Sequence, residues 1–221
     1  MFKQIFNLFK SDSLYKQALE ECHEMLDIDL RMFQESINVL RNKDNSESSF
    51  DIRKADLKIN EFERSVRRKV MTHLAVSGTD DLGSGLILIS VVTDIERIGD
   101  YTKNIYDLSQ FYTKKLNGHD LESDLSSVEE QVVSLFQNSI KAFKDQDLKL
   151  ARQLMKDYKE SISKQSDKIT NDIISGKLSM DADTATAVAM YSRYLKRIGA
   201  HSRNLISSVV NPFERIGYRE E

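Results

Sequence analysis

The fold is decided by two tetrapeptides that lie 100 residues apart, Glu96-Arg97-Ile98-Gly99 and Lys196-Arg197-Ile198-Gly199. The match extends without a gap over 11 positions and keeps Arg, Ile, Gly and Asn identical. A second match lies at a spacing of 103 residues and pairs Phe33-Gln34-Glu35-Ser36-Ile37 with Phe136-Gln137-Asn138-Ser139-Ile140. Self-similarity at a nearly fixed spacing is the signature of a repeated supersecondary unit. The sequence therefore predicts a tandem duplication.

Each copy is predicted to contain three helices. Apolar residues recur with the 3.6-residue period of an amphipathic helix, and short polar clusters interrupt them. The chain has only 8 Gly and 1 Pro, too few for the many tight turns of an all-β fold. The apolar run Leu86–Val92 is assigned to a helix, because its stripe continues through Ile95, Ile98 and Ile105. The six predicted helices cover residues 13–41, 50–76, 84–115, 124–143, 147–174 and 181–209.

The predicted fold is all-α, with two tandem three-helix bundles. The predicted division is a short amphipathic segment at 1–12, a first repeat at 13–116, a second repeat at 123–210 and a tail at 211–221. The first segment carries an apolar face made of Phe2, Ile5, Phe6 and Phe9. About ten residues are too few to hold a membrane alone, so this face packs on the bundle or contacts a partner or a bilayer surface.

Composition excludes several classes of protein. The chain has 32 basic and 35 acidic side chains and a net charge of −3, which gives no strong attraction to nucleic acid or to an anionic membrane. A single cysteine, Cys22, cannot form an internal disulfide, which suits a reducing compartment. Leu86–Val92 is the longest apolar run and is too short to span a bilayer, and no signal peptide is recognisable. The expected location is the cytoplasm.

The segment Asp94-Ile95-Glu96-Arg97-Ile98-Gly99-Asp100, followed by Asn104-Ile105, closely resembles the signature helix of the PhoU family. Members of that family are tandem three-helix bundles that regulate phosphate uptake, and the resemblance covers roughly residues 14–210. It implies a non-catalytic regulator of phosphate uptake. The implied partners are a phosphate transporter, either an ABC-type system or a sodium/phosphate cotransporter, and a sensor histidine kinase. A homodimer is expected, and no nucleic acid.

The resemblance also implies a metal site. The family carries a Glu/Asp-x-x-x-Asp pattern in each repeat, associated with multinuclear metal clusters, and only the first repeat of this chain keeps it. Residues four apart lie on one helical face, so two such carboxylates can reach one cation. The predicted ligands of a divalent or trivalent ion (Fe, Mn, Mg or Ca) are Glu96 and Asp100, helped by Asp94 or Asp107. From the spacing alone, a solvated acidic stripe is the alternative.

The second repeat is basic where the first is acidic. Lys196 and Ala200 stand at the positions that match the carboxylate pair. The run Arg193, Lys196, Arg197 and Arg203 contains no acid and is predicted to dock on an acidic protein surface or on lipid head groups. Drift after duplication is the alternative explanation.

Two further functions stay open from the residues. Glu20-Glu21-Cys22-His23 contains the Glu-x-x-His element of di-iron carboxylate bundles, which would suit a metal-dependent oxidoreductase, but the second element is missing. A helical nucleic-acid-binding repressor would use the basic cluster Arg64–Lys69, although nearby glutamates favour a solvated face. The sequence shows no nucleophile elbow and no phosphate-binding loop, so it is predicted not to be an enzyme.

Overall fold

The computed structural model describes residues 13–42, 50–176 and 178–218, which form helices and connecting turns without a β-strand. The helices are α1 (Leu14–Asn42), α2 (Ile52–Ser77), α3 (Leu82–Phe111), α4 (Glu122–Asp145), α5 (Leu148–Tyr158), α6 (Lys164–Ile174) and α7 (Ala182–Val210). A π-helical turn, Lys159–Ser163, joins α5 to α6, which together form the middle helix of the second repeat. The all-α prediction and the two sets of three helices are confirmed. The predicted segment at residues 1–12 lies outside the described residues.

Short polar side chains start several helices. Ser13, Asp51 and Asp147 accept hydrogen bonds from backbone N–H groups three residues further on, at 3.2, 3.0 and 3.0 Å. The first N–H groups of a helix have no partner within the helix, so such caps stabilise its start by about 1 kcal/mol. α4 ends at Asp145, because the next residue, Gln146, has a left-handed φ of 53°.

The third helix is shorter than predicted, because the chain leaves it after Phe111 instead of continuing to residue 115. The hydroxyl of Tyr112 lies 3.1 Å from the hydroxyl of Thr184 in the second repeat. The N–H of Leu116 donates to the Leu40 carbonyl at 3.1 Å, and its side chain is buried. Tyr112 and Leu116 are four residues apart, which is the spacing of an apolar helical stripe. They nevertheless belong to the linker between the repeats.

The long helices lie side by side, with four of them in the centre. α1 packs on α3, α3 on α7, α7 on α4, and α4 on α1, while α2 and the α5–α6 pair cover the two flanks. α1 and α4 run antiparallel, since Arg41 pairs with Glu122 at one end and Lys144 pairs with Asp27 further along. One connected hydrophobic core therefore runs through both repeats.

Aromatic pairs join the two repeats. The rings of Phe33 and Phe136 meet edge to face with their centroids 6.3 Å apart, in the contact between α1 and α4. Tyr101 on α3 and His201 on α7 stack with centroids 5.8 Å apart. Such ring pairs contribute about 0.5–1.5 kcal/mol beyond the burial of their area. They hold the two three-helix units in one fixed arrangement.

A nearly buried guanidinium links the end of α1 to the linker and to α4. Arg41 donates to the Leu116 carbonyl at 2.8 Å, hydrogen-bonds Glu122, and pairs through Nε with Glu129 at 3.1 Å. The hydroxyl of Tyr191 donates to the same Glu129 carboxylate at 2.6 Å. Burial alone would raise the pKa of Glu122, but hydrogen bonds from Arg41, a backbone N–H and a serine hydroxyl lower it. The cluster is held together by charge-assisted hydrogen bonds.

We expect the substitution Arg41→Met to lower the free energy of unfolding by about 3–5 kcal/mol, because Glu129, whose side chain is only 18% exposed, would lose its cation. Lys114→Met is the control, since Lys114 pairs with Asp183 where both side chains are more than half exposed. An exposed pair contributes at most about 1 kcal/mol. Chemical denaturation measures the free energy of unfolding of both variants. An equal loss in the two would show that Arg41 stabilises the fold no more than an exposed ion pair does.

Candidate functional site

Four carboxylates from three helices lie close together in the first repeat. α1 contributes Asp29, α2 contributes Asp56, and α3 contributes Glu96 and Asp100. Burial raises the pKa of Asp29 well above its usual range, and the negative charges of the other three raise it further. The predicted pair on α3 is therefore part of a larger acidic site that reaches into the core.

Asp29 is the innermost of these carboxylates. Its side chain is 0% exposed, and neither of its carboxylate oxygens has a hydrogen-bond partner. A Cβ atom added to Gly99 would lie 2.7 Å from Oδ1 of Asp29 and 3.1 Å from Cδ1 of Ile59. Only glycine at position 99 therefore lets the carboxylate lie against the turn of α3 that carries Glu96 and Asp100.

Lys103 and Arg97 neutralise part of the acidic site. The ammonium of Lys103 donates to Asp56 at 2.9 Å and to Asp100 at 3.2 Å, and so bridges α2 and α3. Arg97 donates to the other oxygen of Asp100 at 3.0 Å. Asp29 receives no such contact. Arg97 also lies 3.6 Å from Glu96, so of the four carboxylates only Asp29 has no cation beside it.

Glu96 is a carboxyl group that titrates near neutrality. Burial raises its pKa to about 7, and the negative charge of Asp100 raises it in the same direction. The positive charge of Arg97 acts against both. At neutral pH, Glu96 therefore exists in both protonated and ionised forms.

The other two predicted metal ligands lie elsewhere. Asp94 accepts hydrogen bonds from Asn204 at 2.9 Å and lies 2.7 Å from Nδ1 of His201, so it joins α3 to α7. Asp107 pairs with Arg53 on α2 at 2.6 Å. In the part of the chain that the structure describes, no three His, Cys, Asp or Glu side chains are arranged to hold a metal ion. Metal binding by Glu96 and Asp100 stays a prediction.

The second repeat has no acidic site at the matching positions. The repeat spacing matches Asp29 with Val132, which is fully buried. Ser166 matches Asp56 and is hydrogen-bonded to Ser192 at 2.9 Å. Lys196, which replaces Glu96, pairs with Asp167 at 2.6 Å. The fold therefore accepts apolar and neutral residues where the first repeat places carboxylates.

The four predicted partner-binding cations do not share one environment. Arg197 lies between the repeats, where its Nε donates to the Tyr101 hydroxyl at 3.1 Å and its Nη2 lies 3.2 Å from His201. Lys196 is held by Asp167, as described above. Arg193 is exposed and Arg203 half-buried, and neither has an ion pair with a described residue. Arg193 and Arg203 are the members that remain for contact with a partner.

The residues of the two alternative functions have ordinary structural contacts. His23 packs edge-on against Phe143 with centroids 5.8 Å apart, and burial lowers its pKa. Burial raises the pKa of the Cys22 thiol, which keeps it protonated. Arg67 pairs with Glu63 at 2.7 Å within the proposed nucleic-acid cluster. These contacts account for the residues without a di-iron centre or a nucleic acid.

A comparison with models of protein families shows which family this chain belongs to. A family model described as the PhoU domain matches the chain twice, at residues 22–108 and 125–209. The chain belongs to the PhoU domain family. The two matches fall on the two three-helix repeats, and each includes the helix that carries the repeated tetrapeptide.

Individual relatives agree with the PhoU domain assignment. A phosphate-specific transport system accessory protein PhoU homolog of Clostridium acetobutylicum is 25% identical in an alignment 215 positions long, and the alignment covers 89% of this chain and 93% of that protein. A PhoU homolog 1 of Thermotoga maritima is 26% identical over 129 residues, or 57% of this chain and 54% of that protein. The crystal structure of PhoU from Pseudomonas aeruginosa matches with a TM-score of 0.74 at 20% identity, covering 89% of this chain and 95% of that one. The last likeness shows the PhoU fold.

None of the described helices is both long and apolar enough to cross a membrane.

Sequence reasoning missed Asp29, Asp56, Gly99 and Lys103 as members of the site. A signal for Asp29 was present, because it lies between Leu26 and Phe33 on the apolar stripe of α1 and matches a valine in the other repeat. An acid on a buried stripe is unusual and indicates a functional position. Lys103 carried no such signal, since its contacts depend on how α2 packs against α3.

We expect Gly99→Ala to destabilise the protein by about 1–3 kcal/mol, because the new methyl group would overlap the Asp29 carboxylate. Gly83→Ala is the matched control in the same helix, since an added Cβ there meets nothing within 4 Å. The control should be neutral or slightly stabilising, because alanine favours helix. Thermal denaturation of both variants distinguishes them. Equal stability of the two would show that the contact is not tight.

We expect stability in the absence of metal to fall as the pH rises from about 4.5 through 7, because the folded protein raises the pKa of Glu96 to about 7 from an ordinary value of 4.5. The protonated form stabilises the folded state, so this contribution is complete below the ordinary pKa and is lost as the group ionises. Urea denaturation in chelator over this pH range measures the slope. Glu96→Gln should make the slope shallower, since Asp29, whose pKa is also raised, still contributes in the same direction. An unchanged slope would assign the pH dependence to other groups.

Proposed function

We propose that the protein is a non-catalytic regulator of phosphate uptake that acts on a phosphate transporter. The observation that carries this proposal is the double match of the PhoU domain to the two repeats, which leaves little of the chain for another function. The relative from Clostridium acetobutylicum, described as an accessory protein of a phosphate-specific transport system, matches over 93% of its length.

The transporter in this proposal is an ABC-type system or a sodium/phosphate cotransporter, and a sensor histidine kinase is a second partner. The protein acts from the cytoplasm as a homodimer. Docking on the membrane complex uses two cations of α7, the exposed Arg193 and the half-buried Arg203, which meet complementary charge on an acidic partner surface. Complementary charge raises the association rate and sets orientation more than it adds affinity.

We expect the double substitution Arg193→Ser/Arg203→Ser to weaken co-purification with transporter subunits at low salt. Thermal stability should hardly change, because neither arginine forms an ion pair with a described residue, and even an exposed pair contributes at most about 1 kcal/mol. The matched control is Lys114→Ser/Lys168→Ser, which removes the same charge from exposed ion pairs of the linker and α6. Wild-type binding should weaken at high salt. Charges on the two proteins attract each other over about 8–10 Å in physiological buffer, and added salt shortens this distance.

Arg197 is left unchanged in that variant, since its contacts between the repeats are structural. If the Arg193/Arg203 variant and wild type recover equal amounts of transporter, the cations of α7 are only solvated surface. If neither recovers transporter subunits or the kinase, while deletion of the gene leaves phosphate uptake unchanged, the proposed function itself is wrong.

The proposal includes one metal ion, bound by Glu96 and Asp100 in the first repeat only. Oxygen donors favour a hard cation such as Mg²⁺, Mn²⁺, Ca²⁺ or oxidised iron. The unpartnered, fully buried carboxylate of Asp29 supports a cation at this place, because a buried carboxylate without a partner is costly. The donors fit one ion rather than a multinuclear cluster, since Lys103 and Arg97 already pair with three of the four carboxylates and only Asp29 has no partner.

We expect protein purified without chelator to contain metal that Glu96→Ala/Asp100→Ala lacks. Elemental analysis measures the metal content per chain. Asp167→Ala/Asp172→Ala removes two carboxylates from the second repeat and is the control for net charge. Equal metal in all three proteins would place the ion elsewhere or show that it is bound without specificity.

A further inference from the structure

The acidic site contains a cation of its own, the ammonium of Lys103. It lies 2.9 Å from Asp56 and 3.2 Å from Asp100, so it neutralises carboxylates of two different helices. A lysine ammonium on a flexible four-carbon stem is a mobile point charge that can leave such a place without unfolding the helix. The side chain of Lys103 is 26% exposed, so it has a direct path to solvent.

Asp29 lies behind this pair and faces the same site. It is fully buried, has no hydrogen-bond partner, and interacts electrostatically with Asp56, Glu96 and Asp100. The matching residue of the second repeat is Val132, so the packing of three helices does not require an acid at this position. A carboxylate kept where an apolar residue would suffice has another use, and its neighbours make a cation its natural partner.

We propose that Lys103 is a built-in competitor for the metal ion of the first repeat, and that Asp29 is the inner ligand that the ion gains when Lys103 moves out. This inference rests on the metal part of the proposed function and not on the transporter part. Among the described residues no three His, Cys, Asp or Glu side chains are arranged to hold a metal ion, and the carboxylates of Asp56 and Asp100 are hydrogen-bonded to Lys103 and Arg97 instead.

The competition has a regulatory consequence. A metal ion must displace a like charge, so the site fills only at a higher concentration of free metal than four carboxylates alone would require. When it fills, Lys103 is released from Asp56, and one polar link between α2 and α3 is lost, while the pair of Arg53 with Asp107 stays. Metal occupancy thereby changes the contact between two helices of the bundle.

The test is a titration of the full chain with Mn²⁺ alone, followed by calorimetry and by the EPR signal of free Mn²⁺. Lys103→Met should bind Mn²⁺ at least about tenfold more tightly than wild type, equivalent to about 1.4 kcal/mol. Lys103→Arg keeps the charge and should not gain affinity. Lys168→Met is the matched control, because it makes the same change of net charge at an exposed ion pair in the second repeat.

The role of Asp29 is tested in the same background. The double variant Asp29→Val/Lys103→Met carries at position 29 the valine that the second repeat has at the matching position. We therefore expect the variant to fold, and circular dichroism checks this. The double variant should lose the affinity that Lys103→Met gained. Equal affinity of this double variant and Lys103→Met would remove Asp29 from the ligand set.

Two further outcomes overturn the proposal. If Lys103→Met and wild type bind Mn²⁺ equally, the lysine does not compete and serves only as an ion pair. If neither binds Mn²⁺, the metal part of the proposed function fails together with this inference. The transporter part stays independent of both outcomes, because co-purification tests it without metal.

Discussion

The buried guanidinium of Arg41 fixes the relation between the two halves of the molecule. It comes from the last turn of α1, and its partners are the linker carbonyl of Leu116 and the carboxylates of Glu122 and Glu129 on α4. Each of these groups would be costly to bury alone, so the cluster is stable only when all are present. The linker path, the start of α4 and the contact of α4 with α7 through Tyr191 all follow from this arrangement.

On this common frame the two repeats differ in what they bury. The first keeps an unpartnered acid, Asp29, beside the turn that carries Glu96 and Asp100. The second repeat has a buried valine, Val132, and a hydrogen-bonded pair of serines at the matching interior positions. Its Lys196, which stands where the first repeat has Glu96, pairs with Asp167. The interior of the second repeat is the more stable of the two, because it buries no unpartnered charge at these positions. The first costs stability, which is typical of positions kept for binding.

The helices and the duplication could be predicted because their signals lie in neighbouring residues or in plain repetition of sequence. The pair Glu96 and Asp100 could be predicted because residues four apart share a helical face. Partners separated by 47 residues, as Lys103 and Asp56 are, depend on the packing of two helices and leave no local pattern. For the same reason Asp94 could not be separated from the acidic site, since its partners lie on α7, more than 100 residues away.

The ring contacts between the repeats have a consequence for symmetry. Phe33 and Phe136 occupy matching positions of the two repeats, and so do Tyr101 and His201, yet the members of each pair contact each other. Contact between equivalent residues is the property of a two-fold axis, as in an isologous dimer. The repeats therefore meet as two identical subunits would. In such a dimer every substitution appears twice, whereas in one continuous chain a carboxylate can be placed on one side of the axis alone.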